Sequence, residues 1–320
     1  MVRIFITGGA GQIGLALQEH LATNSILADS NAIVYIYDLV NNPAQDIMNA
    51  NQLEKEMREF RPEIVIHLAA ISNITDCNND PSKAFDVNGK GCANVIKAAI
   101  KSQVQKIIYS STASVYSKTL DRDDFNREDD AVSPDSIYGH SKYIGEKMLT
   151  YYCGTDSAAV DRFHGEVIIL RLFNVVIEKK YISMANRSMD RLFNTLQNLT
   201  VNDKFTIYGN KYDTKDGTCV RDYISVKDVC RAFSAAMDPP SVGERVASGV
   251  KIYNVCSGIE TSVLQIINIW YKKYTEKNFT VVFGEARKGD NARSIGDNSK
   301  ISAALGWKPQ DTIEKMIFSM

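Results

Sequence analysis

The feature that most limits what this chain can fold into is a glycine-rich turn placed at the end of its first apolar run. Thr7-Gly8-Gly9-Ala10-Gly11-Gln12-Ile13-Gly14 directly follows Val2–Ile6 and opens a stretch with helical periodicity. Glycine permits a tight turn and lets backbone N–H groups approach an anion at the positive end of a helix. The three spaced glycines Gly8, Gly11 and Gly14 are weak evidence by themselves. Their position on a strand-to-helix turn gives them weight.

Further β-branched runs alternate with helical stretches: Ile33–Tyr37, Ile64–His67, Lys106–Ser110 and Glu166–Leu170. That order predicts βαβ units, hence an α/β fold built on a doubly wound parallel sheet of the Rossmann kind. Ligands of such a sheet gather at the carboxyl ends of its strands. Ala22–Asn31 exceeds what a minimal unit needs and reads as an inserted loop. After Phe173 the alternation breaks, and Ile252–Val255 reads as a later strand before a helix near Ser262. The expected division is a domain over 1–173, to which the chain returns around 222–257, and a smaller α/β substrate-binding lobe from 174–221 and 258–320.

Composition narrows the partners. Lys and Arg number 37 against 38 Asp and Glu, for a net charge of −1, and neither sign is massed. That pattern offers no electrostatic footprint for nucleic acid or an anionic membrane and points to a small molecule. The six cysteines form no CxxC pair and no zinc-spaced Cys/His cluster, so reduced, buried thiols and no metal are expected. No charged leader precedes a long apolar stretch, and no run reaches membrane-spanning length, so a cytoplasmic location is expected.

The glycine turn fits a dinucleotide pyrophosphate, with Gly8, Gly11, Gln12, Ile13 and Gly14 around it. Asp38 ends the second strand, where an acid accepts hydrogen bonds from both hydroxyls of an adenosine ribose and repels a 2′-phosphate, favouring NAD over NADP. Its plainer reading is a turn cap before Asn41-Asn42-Pro43. Asp46 and Ile47 are weaker candidates for the adenine edge.

Tyr138 and Lys142 are four residues apart, about one helical turn, so phenol and ammonium share a face. Lowering a tyrosine pKa from roughly 10 to roughly 7 needs about 4 kcal/mol, which a neighbouring ammonium helps to supply. The phenolate then takes a proton from a substrate hydroxyl. Tyr143 with Lys147 and Tyr223 with Lys227 share this spacing. Tyr138 differs in sitting at a helix start after Ser133-Pro134, whereas Tyr143 lies about 500° further round and reads as packing. Thr112, just past its strand, is a candidate to bond the same substrate oxygen.

The glycine turn, Ser110-Ser111-Thr112-Ala113, Tyr138 to Lys142 and Arg171-Leu172-Phe173-Asn174 resemble the extended short-chain dehydrogenases that act on nucleotide sugars. The segment Tyr212-Asp213-Thr214-Lys215-Asp216-Gly217-Thr218-Cys219-Val220-Arg221-Asp222-Tyr223-Ile224 is similar to that of UDP-glucose 4-epimerases. The resemblance implies NAD-dependent epimerisation at C4 of a UDP-hexose through a transient 4-keto sugar, by a homodimer. It adds Leu68, Ala69, Ala70, Asn88 and Ser110 to the cofactor set. It also implies that Asn174, Arg221, Arg287 and Asp290 bind the UDP-sugar and that Ser294, being small, leaves room beside C2.

The chain departs from the epimerase pattern at several points. His67-Leu68-Ala69-Ala70-Ile71-Ser72 lacks the usual lysine, Asn73 to Asn79 is worded differently, Leu172 replaces an aromatic, and Ser117 stands for glycine. No uridine-contacting asparagine can be placed in Tyr181 to Asp190. A 4-dehydrogenase or reductase, a dehydratase and a decarboxylase are the alternative activities. Family dehydratases usually follow the active-site threonine with Asp-Glu, whereas Thr112 is followed by Ala113-Ser114.

Overall fold

The computed structural model describes residues 2–23, 32–116, 125–154, 162–185, 191–237, 249–276, 279–287 and 291–320. The first five strands, β1 (Arg3–Thr7), β2 (Ile33–Tyr37), β3 (Ile64–His67), β4 (Lys106–Thr112) and β5 (Glu166–Leu172), follow the apolar runs. After β6 (Asn174–Val176), β7 (Lys204–Tyr208) and β8 (Val220–Ser225), the chain returns to the sheet as β9 (Gly249–Val255). The sheet order is β2-β1-β3-β4-β5-β9, with every pair parallel. Strand order reverses between β1 and β3, which opens a crevice at their carboxyl ends.

Alternation along each strand divides the core in two. Ile4, Ile6, Ile64, Ile66 and Ile108 face helices Gln12–Thr23 and Val226–Met237, through Leu17, Leu21, Val229 and Phe233. Phe5, Val65, Ile107 and Tyr109 face helices Ala50–Phe60, Gly91–Lys101 and Ile137–Cys153, through Leu53, Met57, Val95, Ile96 and Leu149. A third cluster, with Leu196, Phe205, Ile207, Ile266, Trp270 and Ile317, underlies the later part of the chain. There β8 lies between β10 (Glu260–Ser262) and β12 (Arg293–Ser294), also pairs with β6, and β7 pairs with β11 (Thr280–Gly284). All six cysteines are buried and reduced. Among the described residues no helix is long and apolar enough to cross a membrane.

Two expectations change. Strands β4 and β5 each run two residues beyond the apolar runs, so Thr112 is the last residue of its strand, in register with Leu172. Ala22 and Thr23 belong to the first helix, while the rest of the expected insertion, Asn24 to Asn31, lies outside the described residues.

One buried polar network crosses the fold. Arg171, 2% exposed, grips Glu146 through Nε (3.1 Å) and Nη2 (2.8 Å), and Ser111 donates to the same carboxylate at 2.5 Å. Its Nη1 donates to the Tyr116 hydroxyl at 3.0 Å, which donates to Asn254 Oδ1 at 2.6 Å. Removing one partner of such a pair leaves an uncompensated buried charge. Glu146→Ala is expected to lower unfolding free energy by about 3–5 kcal/mol, read as a fall in the urea midpoint. A midpoint within experimental error of the parent would show that the pair does not hold the fold.

Candidate active site

A cleft of about 1040 Å³ opens at the carboxyl ends of β1 to β5. Its walls include Gly8, Gly11, Gln12, Ile13, Gly14, Asp38, Asp46, Ile47, Leu68, Ala69, Ala70, Ser110, Thr112, Tyr138 and Lys142, so these candidates are brought together. Gly8 has φ +74°, and a Cβ there would stand 2.5 Å from the Ala69 backbone nitrogen. The turn and the Leu68–Ala70 wall therefore approach as only glycine allows.

Asp38 caps its turn, as its plainer reading has it. Its Oδ2 accepts from Ala10 N at 2.9 Å and its Oδ1 from Val40 N at 2.9 Å, so the carboxylate both caps the turn and braces the glycine loop. It still lines the cleft. Asn88 acts from behind the wall. It is 1% exposed, and its amide accepts from Ile71 N (2.8 Å) and donates to Ile71 O (2.9 Å) and Ser141 Oγ (2.8 Å).

Tyr138 and Lys142 lie in the first two turns of helix Ile137–Cys153, which Ser136 caps by accepting from Gly139 N at 3.0 Å. Gly139 packs against the Ser114 carbonyl, where a side chain would collide, so the helix start can abut the turn that follows Thr112. Burial pushes the Tyr138 phenol up to about 12, and a hydrogen bond with Thr112 opposes it. Burial pushes Lys142 down to about 8, and its ammonium sits 4.3 Å over the Tyr109 ring. The Lys142 ammonium thus faces an aromatic ring in the protein interior, and Thr112 is a partner of the phenol.

The look-alike pairs have other tasks. Tyr143 packs against Val115, Tyr116, Phe173 and Cys256, with Lys147 5.0 Å over its ring. Tyr223 stacks edge-on with Phe193, and Lys227 pairs with Glu178.

Among the proposed substrate residues, Asn174 donates from Nδ2 to Asp222 O at 2.9 Å. Arg221 donates from Nη1 to Val220 O (2.9 Å) and Asn291 O (2.8 Å). The Asp222 carboxylate turns away from Arg221 to Ser257, Gly258 and Gly296, since neighbours on a strand point to opposite faces. Arg287 lies 3.9 Å over the Tyr208 ring. Ser294 faces Arg221 in the β12–β8 register. Asp290 and Ser117 lie outside the described residues, as do Asn186 to Asp190, while Tyr181 to Ala185 end a short helix, Lys179–Ala185.

Sequence reasoning missed a wall made of Ile71, Ser72, Asn73, Asp76, Asn79, Asp80 and Lys83. A signal was present in the caps. Asn73 accepts from Thr75 N, and Asp80, followed by Pro81, accepts from Lys83 N, so Asn73 and Asp80-Pro81 mark two short helices, Ile74–Asn79 and Pro81–Phe85.

Residues 4–256 match the model of the NAD dependent epimerase/dehydratase family. The chain is 27% identical to the UDP-glucose 4-epimerase of Rhizobium meliloti over 96% of this chain and 92% of that one. Among solved structures it is similar to the UDP-glucose 4-epimerase of Bifidobacterium longum in complex with NAD+ and UDP, with TM-score 0.79, 26% identity, and 99% and 96% of the two chains covered. It is also similar to the UDP-Glc/GlcNAc 4-epimerase of Campylobacter jejuni, with TM-score 0.79, 27% identity, and 100% and 98% covered. With its glycine turn, Tyr138–Lys142 helix and Thr112 on one cleft, and a family match across most of its length, this chain belongs to the NAD dependent epimerase/dehydratase family.

Proposed function

We propose that this enzyme interconverts UDP-hexoses at C4 through a transient 4-keto sugar, with NAD as its resident cofactor. The observation that carries the reading is one cleft lined on one side by Gly8, Gly11, Gly14 and Asp38 and on the other by Thr112, Tyr138 and Lys142. The residues fit NAD: the Gly8 turn admits no side chain, and Asp38 stands at the end of β2 as an acceptor for a ribose diol. The names of its relatives support the sugar nucleotide.

Bound there, NAD supplies a hydride acceptor, a positive charge, and later the returning hydride. The rest is work for side chains. Thr112 hydrogen-bonds the reacting oxygen and Tyr138 takes its proton, then returns it when the carbonyl is reduced. Bringing the phenol from about 12 to neutrality requires roughly 7 kcal/mol of differential stabilisation, more than one hydroxyl provides. A swing of the Lys142 ammonium from the Tyr109 ring toward the phenol is the contribution this chain can make. Elimination is disfavoured, because Ala113 and Ser114, in the 3-10 turn after Thr112, supply neither acid nor base.

Product NMR on UDP-glucose tests the reading: its 4-epimer should form with no steady consumption of added NAD. Net NADH formation would establish a dehydrogenase instead. Tyr138→Phe is expected to keep NAD binding and lose about 10²–10⁴ in kcat; near-parent turnover would remove Tyr138 from the chemistry.

Asp38→Ala should weaken NAD about tenfold and narrow the preference over NADP. Competition titration reads the ratio, which stays fixed if Asp38 only braces Ala10.

Ser294, beside Arg221, is proposed to border the C2 side of the sugar, so UDP-N-acetylglucosamine is accepted as well. Ser294→Tyr should lower kcat/KM about 10–100-fold for the acetamido sugar, with a smaller loss for UDP-glucose. An equal change for both sugars would contradict that placement.

A further inference from the structure

Asp222 is a buried carboxylate outside the catalytic wall whose hydrogen bonds reach two separate segments of the chain. It is 0% exposed, and its two oxygens accept four hydrogen bonds: Ser257 N at 2.7 Å and Ser257 Oγ at 2.8 Å on one, Gly258 N at 2.9 Å and Gly296 N at 3.3 Å on the other. These donors come from two separate segments. Ser257 and Gly258 form the exit from β9, the last strand of the main sheet, and Gly296 follows β12. Gly258 has φ +72°, and a Cβ on Gly296 would press on Cys256 Sγ and on the ring of Phe173, a residue of the cleft wall.

The neighbours of Asp222 on β8 look the other way. Arg221 lies opposite Ser294 in register, and the Asp222 carbonyl accepts from Asn174. One residue thus ties the cleft wall at Phe173, the main-sheet exit and the paired strands that carry Arg221 (β8) and Ser294 (β12).

We propose that Asp222 is a positioning residue that sets Arg221, Asn174 and Ser294 against the cleft wall and so fixes the subsite for the nucleotide diphosphate; this rests on the UDP-sugar reading. Burial pushes the carboxyl up to about 6 even though the hydrogen bonds from Ser257, Gly258 and Gly296 oppose it. Keeping the ionised form dry therefore costs the fold stability, and what the carboxylate contributes is geometry. An asparagine has the same shape, but in either orientation it sets an NH2 group against a backbone donor, Ser257 N on one side or Gly258 N and Gly296 N on the other.

The test is D222N in the NAD-loaded enzyme, with UDP binding followed by calorimetry and UDP-glucose kinetics in parallel. Expected are an increase of about tenfold in the UDP Kd and in KM, with kcat within about threefold and NAD affinity within about twofold of the parent. Unchanged UDP binding in D222N would overturn the inference, and so would an equal loss of UDP and NAD affinity, which is the mark of a merely structural role. Should D222N not fold, S257A removes one donor and reads the same quantity. UDP binding weakened about threefold with NAD unaffected supports the proposal, and no change or a joint loss overturns it. Parent enzyme that binds no UDP would overturn the substrate reading and this inference together; parent binding with an indifferent D222N overturns the inference alone.

Discussion

The rest of the structure depends on the buried pair between Arg171 and Glu146. Arg171 projects from β5 and Glu146 from the helix that carries Tyr138 and Lys142, one turn beyond Lys142. The bidentate grip fixes how that helix sits on the sheet, and Ser111 on β4 holds the same carboxylate next to Thr112. Through Tyr116 and Asn254 the network continues to β9, where Asn254 N donates to Glu128 at 2.7 Å and its amide donates to Asn126 O at 2.9 Å. Well-packed apolar residues in place of such a pair often cost nothing in stability. Its value here is geometric, since it sets the register between Thr112 on a strand and Tyr138 on a helix.

That register produces the chemistry of the wall. A phenol held neutral by burial, a lysine brought down to about 8 and a threonine hydroxyl share one corner of the cleft. Each is poised to change its proton or its partner when charge develops nearby, because in a poorly hydrated site one added charge shifts equilibria that bulk water would screen. The glycine turn and Asp38 line the same cleft, held together by the Ala10 N–H bond to the carboxylate. Asp222 performs the corresponding service for the later strands. Buried carboxylates thus brace both the helix of Tyr138 and Lys142 and the later strands.

The main sheet was legible because its strands are apolar in a period of two and its first turn demands glycine. Their ends were not: Ser111-Thr112 and Arg171-Leu172 interrupt the apolar pattern, and it takes Glu146, with the Tyr116 hydroxyl and the Glu128 carbonyl, to explain a buried arginine in a strand. Tyr138, Lys142 and Thr112 were legible from spacing and position. The partner of Lys142 was not, since Tyr109 meets it across a strand and a helix 33 residues apart along the sequence. The later sheet was illegible for a similar reason. β6, β10 and β12 are two or three residues long, and their pairing with β8 rests on contacts distant in sequence, such as those of Asp222. The resemblance puts Asn88 in the cofactor set, whereas in the fold both its N–H groups and its carbonyl hold Ile71 and Ser141.

The central claim is that one cleft removes hydrogen from C4 and returns it to the same carbon. It is tested most directly with UDP-glucose deuterated at C4, in protonated water and without added NAD. The account predicts a 4-epimer that keeps its deuterium at C4 through many turnovers, because the hydride never leaves the site. Product that has lost the label to solvent, or label accumulating in released NADH, would contradict it.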